Sequence, residues 1–187
     1  MPKLLRVPWV LILPLGVLSS CGPDRVSPPA VATNRSQSPA PTAPPPQPDP
    51  VAPEPSRSDP VKAVMECRAT GGDTADLLIA LRIAGTYYIH AEADHGGTFT
   101  PLKVEMTPPA GVEFVGDWQF PPPTKERGIE IYRTSVLLRR TVKLAPATGS
   151  PKVAGVLRYQ ACNDELCWPP GKLELSAPLP TQAEATP

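Results

Sequence analysis

The stretch Asp76-Leu77-Leu78-Ile79-Ala80-Leu81-Arg82-Ile83-Ala84 decides the fold class of this 187-residue chain. Leu77, Ile79, Leu81 and Ile83 fall at every second position, with Leu78, Ala80, Arg82 and Ala84 between them. A period of two places the first set on one face of a strand and the second on the other, whereas a helix needs apolar spacing near 3.6. The alternation returns at Val104/Met106, Val112/Phe114, Ile129/Ile131, Val142/Leu144, Leu157/Tyr159 and Leu173/Leu175. Turn formers separate these segments: Gly71-Gly72, Gly96-Gly97, Pro108-Pro109, Pro121-Pro122-Pro123 and Gly149-Ser150-Pro151. Seven or eight short alternating strands predict an all-β chain, an antiparallel β-sandwich over residues 61–180.

Upstream of that domain the composition changes. Thirteen of the 39 positions in 22–60 are proline and none is aromatic. Proline removes amide donors and favours extended backbone, so residues 21–60 are predicted to be a disordered Pro-rich tether, with no core of their own. As a flexible coil it would reach ~35 Å, and fully extended ~120 Å. Residues 181–187 are polar and predicted to be a disordered tail.

The N-terminus reads as an export signal. Lys3 and Arg6 precede the apolar run Val7–Leu18, too short for the ~20 residues of a spanning helix. The run ends in Leu18-Ser19-Ser20-Cys21, which resembles the bacterial lipobox, so residues 1–20 are predicted to be a signal peptide and Cys21 the lipidated first mature residue. Gly22 follows it where an aspartate would signal inner-membrane retention, which favours the outer membrane. Loss of Lys3 and Arg6 changes the balance from 18 basic and 18 acidic residues to 16 and 18, a net charge of −2. That balance gives no nucleic-acid surface. Export implies an oxidising compartment, in which disulfides persist.

The remaining signal is Tyr159-Gln160-Ala161-Cys162-Asn163-Asp164-Glu165-Leu166-Cys167-Trp168-Pro169-Pro170. Strands at Lys152–Gln160 and Lys172–Ser176 would bring the two cysteines together across a turn, for which Asn163-Asp164 is suited. A disulfide needs Cα atoms roughly 4.4–6.8 Å apart, which such a closure supplies. A short loop constrains the unfolded chain little. The pair is therefore a structural staple or a working redox couple.

This hairpin resembles the active site of the N-terminal periplasmic domain of the thiol:disulfide interchange protein DsbD. Ile83-Ala84-Gly85-Thr86-Tyr87-Tyr88-Ile89-His90 is similar to that family's glycine-plus-aromatic strand, Pro108-Pro109-Ala110-Gly111-Val112 to its Pro-x-Gly turn, and Ile131-Tyr132 to its next strand start. The resemblance covers roughly residues 70–180. It implies an immunoglobulin-like sandwich with Cys162–Cys167 as a redox-active disulfide, in which Cys167 joins partners in mixed disulfides and Cys162 resolves them. It also implies a cap loop with an aromatic residue, for which Gly116 to Gly128 offers Trp118 or Phe120, although this region differs from the family in length and composition.

Tyr88 and His90 take strand positions expected near the pair, and histidine accepts a proton near neutrality. Asp164 and Glu165 would raise a neighbouring thiol's pKa by repelling the thiolate. Trp168 follows Cys167 and would shape a docking surface or pack on the hairpin. His95, in a glycine-flanked loop, is a solvated surface residue by default, and Cys67 a buried inert thiol.

The family's full-length protein continues into a membrane electron-transfer domain and a thioredoxin-like domain, which this sequence does not contain. The expected partners are therefore a membrane electron-transfer protein or thioredoxin-like donor, oxidised periplasmic clients, and the membrane through the lipid anchor. No cofactor is expected. Two other readings compete: a non-catalytic binding lipoprotein with a structural hairpin disulfide, and metal handling through Cys162, Cys167 and His90. With two histidines, no methionine cluster and no Cys-x-x-Cys, no metal site is expected.

Overall fold

A computed structural model describes residues 47–91, 98–145 and 151–180. Among them are eleven strands and no helix: β1 (Val61–Gly71), β2 (Thr74–Ile83), β3 (Tyr88–His90), β4 (Lys103–Met106), β5 (Val112–Gln119), β6 (Thr124–Glu126), β7 (Ile129–Tyr132), β8 (Ser135–Leu144), β9 (Lys152–Tyr159), β10 (Ala161–Cys162) and β11 (Gly171–Pro178). Every strand pairing is antiparallel. The sheets run β1-β2-β8-β5, β11-β9-β4 and β10-β3-β7-β6.

The alternation sets the core. Leu77, Ile79 and Leu81 of β2 are fully buried and oppose Arg140, Leu138 and Val136 of β8 in register. Val153 and Leu157 of β9 and Ala177 of β11 join the same cluster from the second sheet. Burying each large aliphatic side chain contributes about 2 kcal/mol, before the entropy of ordering it. The result is an immunoglobulin-like antiparallel sandwich.

Two features differ from the reading of the sequence. Seven or eight strands were expected and eleven are present, because β3, β6 and β10 are only two or three residues long and carry no period of their own. The third sheet, assembled from these short strands with β7, holds the cysteine hairpin.

The second difference is on the outer face of β2. Leu78 and Ala80 alternate away from the core, yet they are only 2% and 7% exposed and lie outside the main core cluster. Their cover comes from residues expected in the tether. Arg68, opposite Asp76 in register, donates to the Gln47 carbonyl, and Arg82 pairs with Glu54. Between these two ties Pro50 and Ala52 turn inward and are buried, while Val51 faces solvent. Residues 47–54 thus form an extended strap along the outer face of β2, and Ala84 N–H then donates to the Pro60 carbonyl where the chain enters β1. A proline-rich segment suits this position because it reaches the sheet already extended and loses little freedom there.

Candidate functional site

The cysteine hairpin begins at β10. Cys162 and Cys167 face each other in an isolated antiparallel bridge, with Cα atoms 4.0 Å apart and their sulfurs joined in a disulfide. Hydrogen bonds flank the pair on both sides: Asn163 N–H to the Leu166 carbonyl at 2.9 Å, and Trp168 N–H to the Ala161 carbonyl at 2.8 Å. The cysteines therefore occupy the non-hydrogen-bonded position, where facing Cα atoms approach most closely in an antiparallel ladder. The Asn163 side chain closes the tip, its Oδ1 accepting from Glu165 N–H (2.9 Å) and Leu166 N–H (2.8 Å). This is the Asx turn for which Asn163-Asp164 was singled out.

The two sulfurs have unequal surroundings. Cys162 is 0% exposed, whereas Cys167 is partly exposed beside Leu166, itself 52% exposed. Asp164 and Glu165 lie exposed at the tip.

Strand β3 supplies the wall behind Cys162. Cys162 stands opposite Tyr88 in register, so Tyr88 and His90 share its face, His90 at the diagonal position. His90 Nε2 lies 3.9 Å from Cys162 Sγ. The His90 ring is stacked on Phe99, centroids 4.4 Å apart and 6° from parallel, and Tyr88 meets its edge at 5.7 Å. The Arg133 guanidinium sits 5.1 Å from the Tyr88 ring centroid and grips Glu126 with two 2.8 Å bonds. Those bonds hold the Glu126 carboxyl below its usual range and raise Arg133 further, with the charge of Asp164 adding to the latter.

Gln160 ties the neighbourhood together. Its Oε1 accepts from Thr100 N–H and its Nε2 donates to the Trp168 carbonyl, both at 2.9 Å. One amide thus joins the segment carrying Phe99 to the residue after Cys167.

Of the residues singled out in the sequence, Cys162, Cys167, Tyr88, His90 and Trp168 come together here. Trp168 is half-buried, edge-on to Tyr87 at 6.5 Å, and packs on the core. Trp118 also packs on the core, and Phe120 is largely exposed. The aromatic stacked on His90 is Phe99. Cys67 is half-buried opposite Leu77, its thiol pushed up to about 11 by burial and then by the Asp76 carboxylate, so it is a poor nucleophile at neutral pH. His95 and Cys21 fall outside the described residues.

Phe99, Gln160 and Arg133 were not assigned roles from sequence. Gln160 lies inside the cysteine motif, and Phe99 is the lone aromatic after a glycine pair.

Residues 58–177 match the family described as Thiol:disulfide interchange protein DsbD, N-terminal. The chain belongs to this family. Among solved structures, this DsbD N-terminal domain is similar to the N-terminal periplasmic domain of ScsB from Proteus mirabilis, at 19% identity over 62% of this chain and 44% of that one, TM-score 0.42. It spans less than half of that ScsB chain. It is also similar to the Neisseria meningitidis DsbD N-terminal domain in the reduced form, at 21% identity over 61% of this chain and 82% of that one, TM-score 0.38. The same figures of 21% and 61%, with 80% of the other chain and a TM-score of 0.38, hold for a complex between the DsbD and PilB N-terminal domains of Neisseria meningitidis. Among curated proteins none matches the chain.

Proposed function

We propose that this DsbD N-terminal domain is a lipid-anchored thiol–disulfide carrier on the periplasmic side of the cell envelope, passing electrons through Cys162 and Cys167. The observation that carries this reading is the unequal burial of the pair. A partner sulfur approaches Cys167 at the surface, while Cys162 waits behind it, fully enclosed. In the reducing direction the Cys167 thiolate attacks an oxidised client's disulfide and the client's second sulfur leaves as thiolate. Cys162 then attacks Cys167 Sγ, which closes the intramolecular disulfide and frees the reduced client. A membrane electron-transfer protein or thioredoxin-like donor would restore the dithiol by the reverse sequence. Residues 1–20 as signal peptide, Cys21 as the lipidated residue and a tether leading to the strap fit such a carrier.

The test is a redox titration of the mature protein against glutathione with alkylation of the thiols formed. A carrier should show a potential above about −300 mV, and a Cys162→Ala variant should accumulate mixed disulfides through Cys167. A potential well below that value, with no mixed disulfide captured, would leave the pair as a staple and the domain as a binding module.

A further inference from the structure

We propose that His90 is the base that takes the proton from Cys162 when the mixed disulfide at Cys167 is resolved. The inference rests on the exchange reaction proposed above and assigns a catalytic group within it.

Resolution demands a thiolate at Cys162, because the thiol is a poor nucleophile. That sulfur is 0% exposed. Burial opposes the charged form, and bulk solvent has no access to carry the proton away. The acceptor must therefore be built into the wall of the site. Among the described contacts of Cys162 Sγ, the group able to accept is His90 Nε2, 3.9 Å away.

The imidazole is held for this task. It is 2% exposed, stacked on Phe99 and steeply inclined to the Tyr88 ring, and carried on β3 between β10 and β7. Its own carbonyl accepts from Leu102 N–H at 2.8 Å, which fixes the strand against the segment bearing Phe99. A buried histidine that served only as packing would be replaceable by an aromatic carbocycle; here a ring nitrogen faces the sulfur that must ionise.

In the disulfide form Cys162 has no proton to give. In the mixed-disulfide state its S–H points a proton at Nε2. Transfer to Nε2 leaves the electron pair on sulfur, which attacks Cys167 Sγ; the Cys167–partner bond breaks as the Cys162–Cys167 bond forms. The partner sulfur leaves as thiolate, and the imidazolium returns the proton to it or to water. Over the two exchanges together the domain is oxidised by two electrons and the partner disulfide reduced by two.

Other ionisable groups surround this step. Tyr88 lies on the same strand with Arg133 above it, Arg133 is bound to Glu126, and Asp164 stands at the hairpin tip. Strand β7 presents Ile131 opposite His90, with the Glu130 carbonyl bonded to Ala91 N–H. Histidine is the side chain of this group whose charge changes near neutrality.

The experiment uses the full chain with Cys21→Ser and Cys67→Ala, fully reduced, mixed with 5,5′-dithiobis(2-nitrobenzoate) in stopped flow. The first coloured thiolate released reports formation of the mixed disulfide at Cys167, and the second reports resolution by Cys162. Histidine at position 90 should give a second step whose rate rises with pH and then levels off once the imidazole is neutral. His90→Gln and His90→Tyr should slow that step about 100-fold at pH 7. Both should abolish the levelling and leave the first step within about twofold of the parent, which also shows that the variants are folded. Equal second-step rates and profiles in parent and variants would overturn the role of His90 while leaving exchange intact. A parent profile that never levels off would overturn it whatever the variants do. Failure of the parent to release a second thiolate would instead count against the exchange reaction itself.

Discussion

Gln160 Nε2 donates to the Trp168 carbonyl at 2.9 Å, across the base of the cysteine hairpin. The other end of the same amide accepts from Thr100 N–H, so the hairpin and the Phe99 segment share one side chain. Gln160→Leu leaves the part-buried Trp168 carbonyl and Thr100 N–H unpaired, and stability should fall by about 1–2 kcal/mol. Gln160→Glu keeps the acceptor for Thr100 and loses the donor for Trp168, so it should disturb the hairpin more than the Phe99 segment. Denaturant unfolding measures the first effect. Alkylation of reduced Cys162, faster in both variants than in the parent, measures the second; unchanged rates would show that this amide does not guard the sulfur.

Gly171 has a different neighbour, the ring of Tyr159. A Cβ at position 171 would lie 2.8 Å from Tyr159 Cζ, closer than packed atoms tolerate. Gly171 and Tyr159 are partners in register, and Tyr159 packs in the core, so its ring has little room to move aside. Gly171→Ala should cost about 1–3 kcal/mol by overpacking, read as a lowered denaturation midpoint. A neutral result would show that Tyr159 repacks freely.

The Glu126–Arg133 pair gives a pH dependence of known sign. Its hydrogen bonds to Arg133 hold the Glu126 carboxyl below the ordinary 4.5 in the folded protein. A depressed carboxyl contributes stability above its unfolded value, and that contribution disappears as pH falls through the folded value. Both partners are exposed enough for salt to screen them, so the effect should be small. Unfolding followed from pH 6 down to 3 should fall slightly less steeply in Glu126→Gln than in the parent. A steeper fall in the variant would contradict the pairing.

Ala52 is the test of the strap. It is 2% exposed, and Ala52→Asp would bury an unpaired carboxylate or force the strap from the sheet. Stability should drop by about 3 kcal/mol. Ala52→Gly should cost much less, and proteolysis of the Asp variant should open first within 47–60. If the Asp variant keeps parental stability, Leu78 and Ala80 are covered by something other than the strap.

The sandwich was legible because its long strands carry their own period. Leu77, Ile79 and Leu81 announce β2 without reference to anything else, and the cysteine motif announces its hairpin through Asn163. What was not legible depends on partners far along the chain. Strand β3 has three residues and becomes a strand by pairing with Ala161–Cys162 on one side and Ile131–Tyr132 on the other. Gln160 stood in plain view, but its amide bonds Thr100, 60 positions away. Phe99 was overlooked for the same reason, since its stacking on His90 is decided by the β3–β4 connection and not by local pattern. The strap defeated compositional reasoning differently. Proline content shows that residues 47–60 are extended and poor at making their own core, and is silent on whether a neighbouring sheet offers a face for them to lie on.

The direction of that strap orients the whole domain. Glu54 is tied to Arg82 near the end of β2 that leads to β3, and Gln47 to Arg68 toward the opposite end, by the Gly71 turn. Gln47 therefore lies toward the Gly71 end of β2, whereas Ile83 at its other end leads to β3, against which Cys162 pairs. A pull along the N-terminal chain would be borne first by the strap and the Arg68 contact, leaving the hairpin unloaded. Under the proposed exchange, a domain held through this strap would present Cys167 at the end away from Gln47.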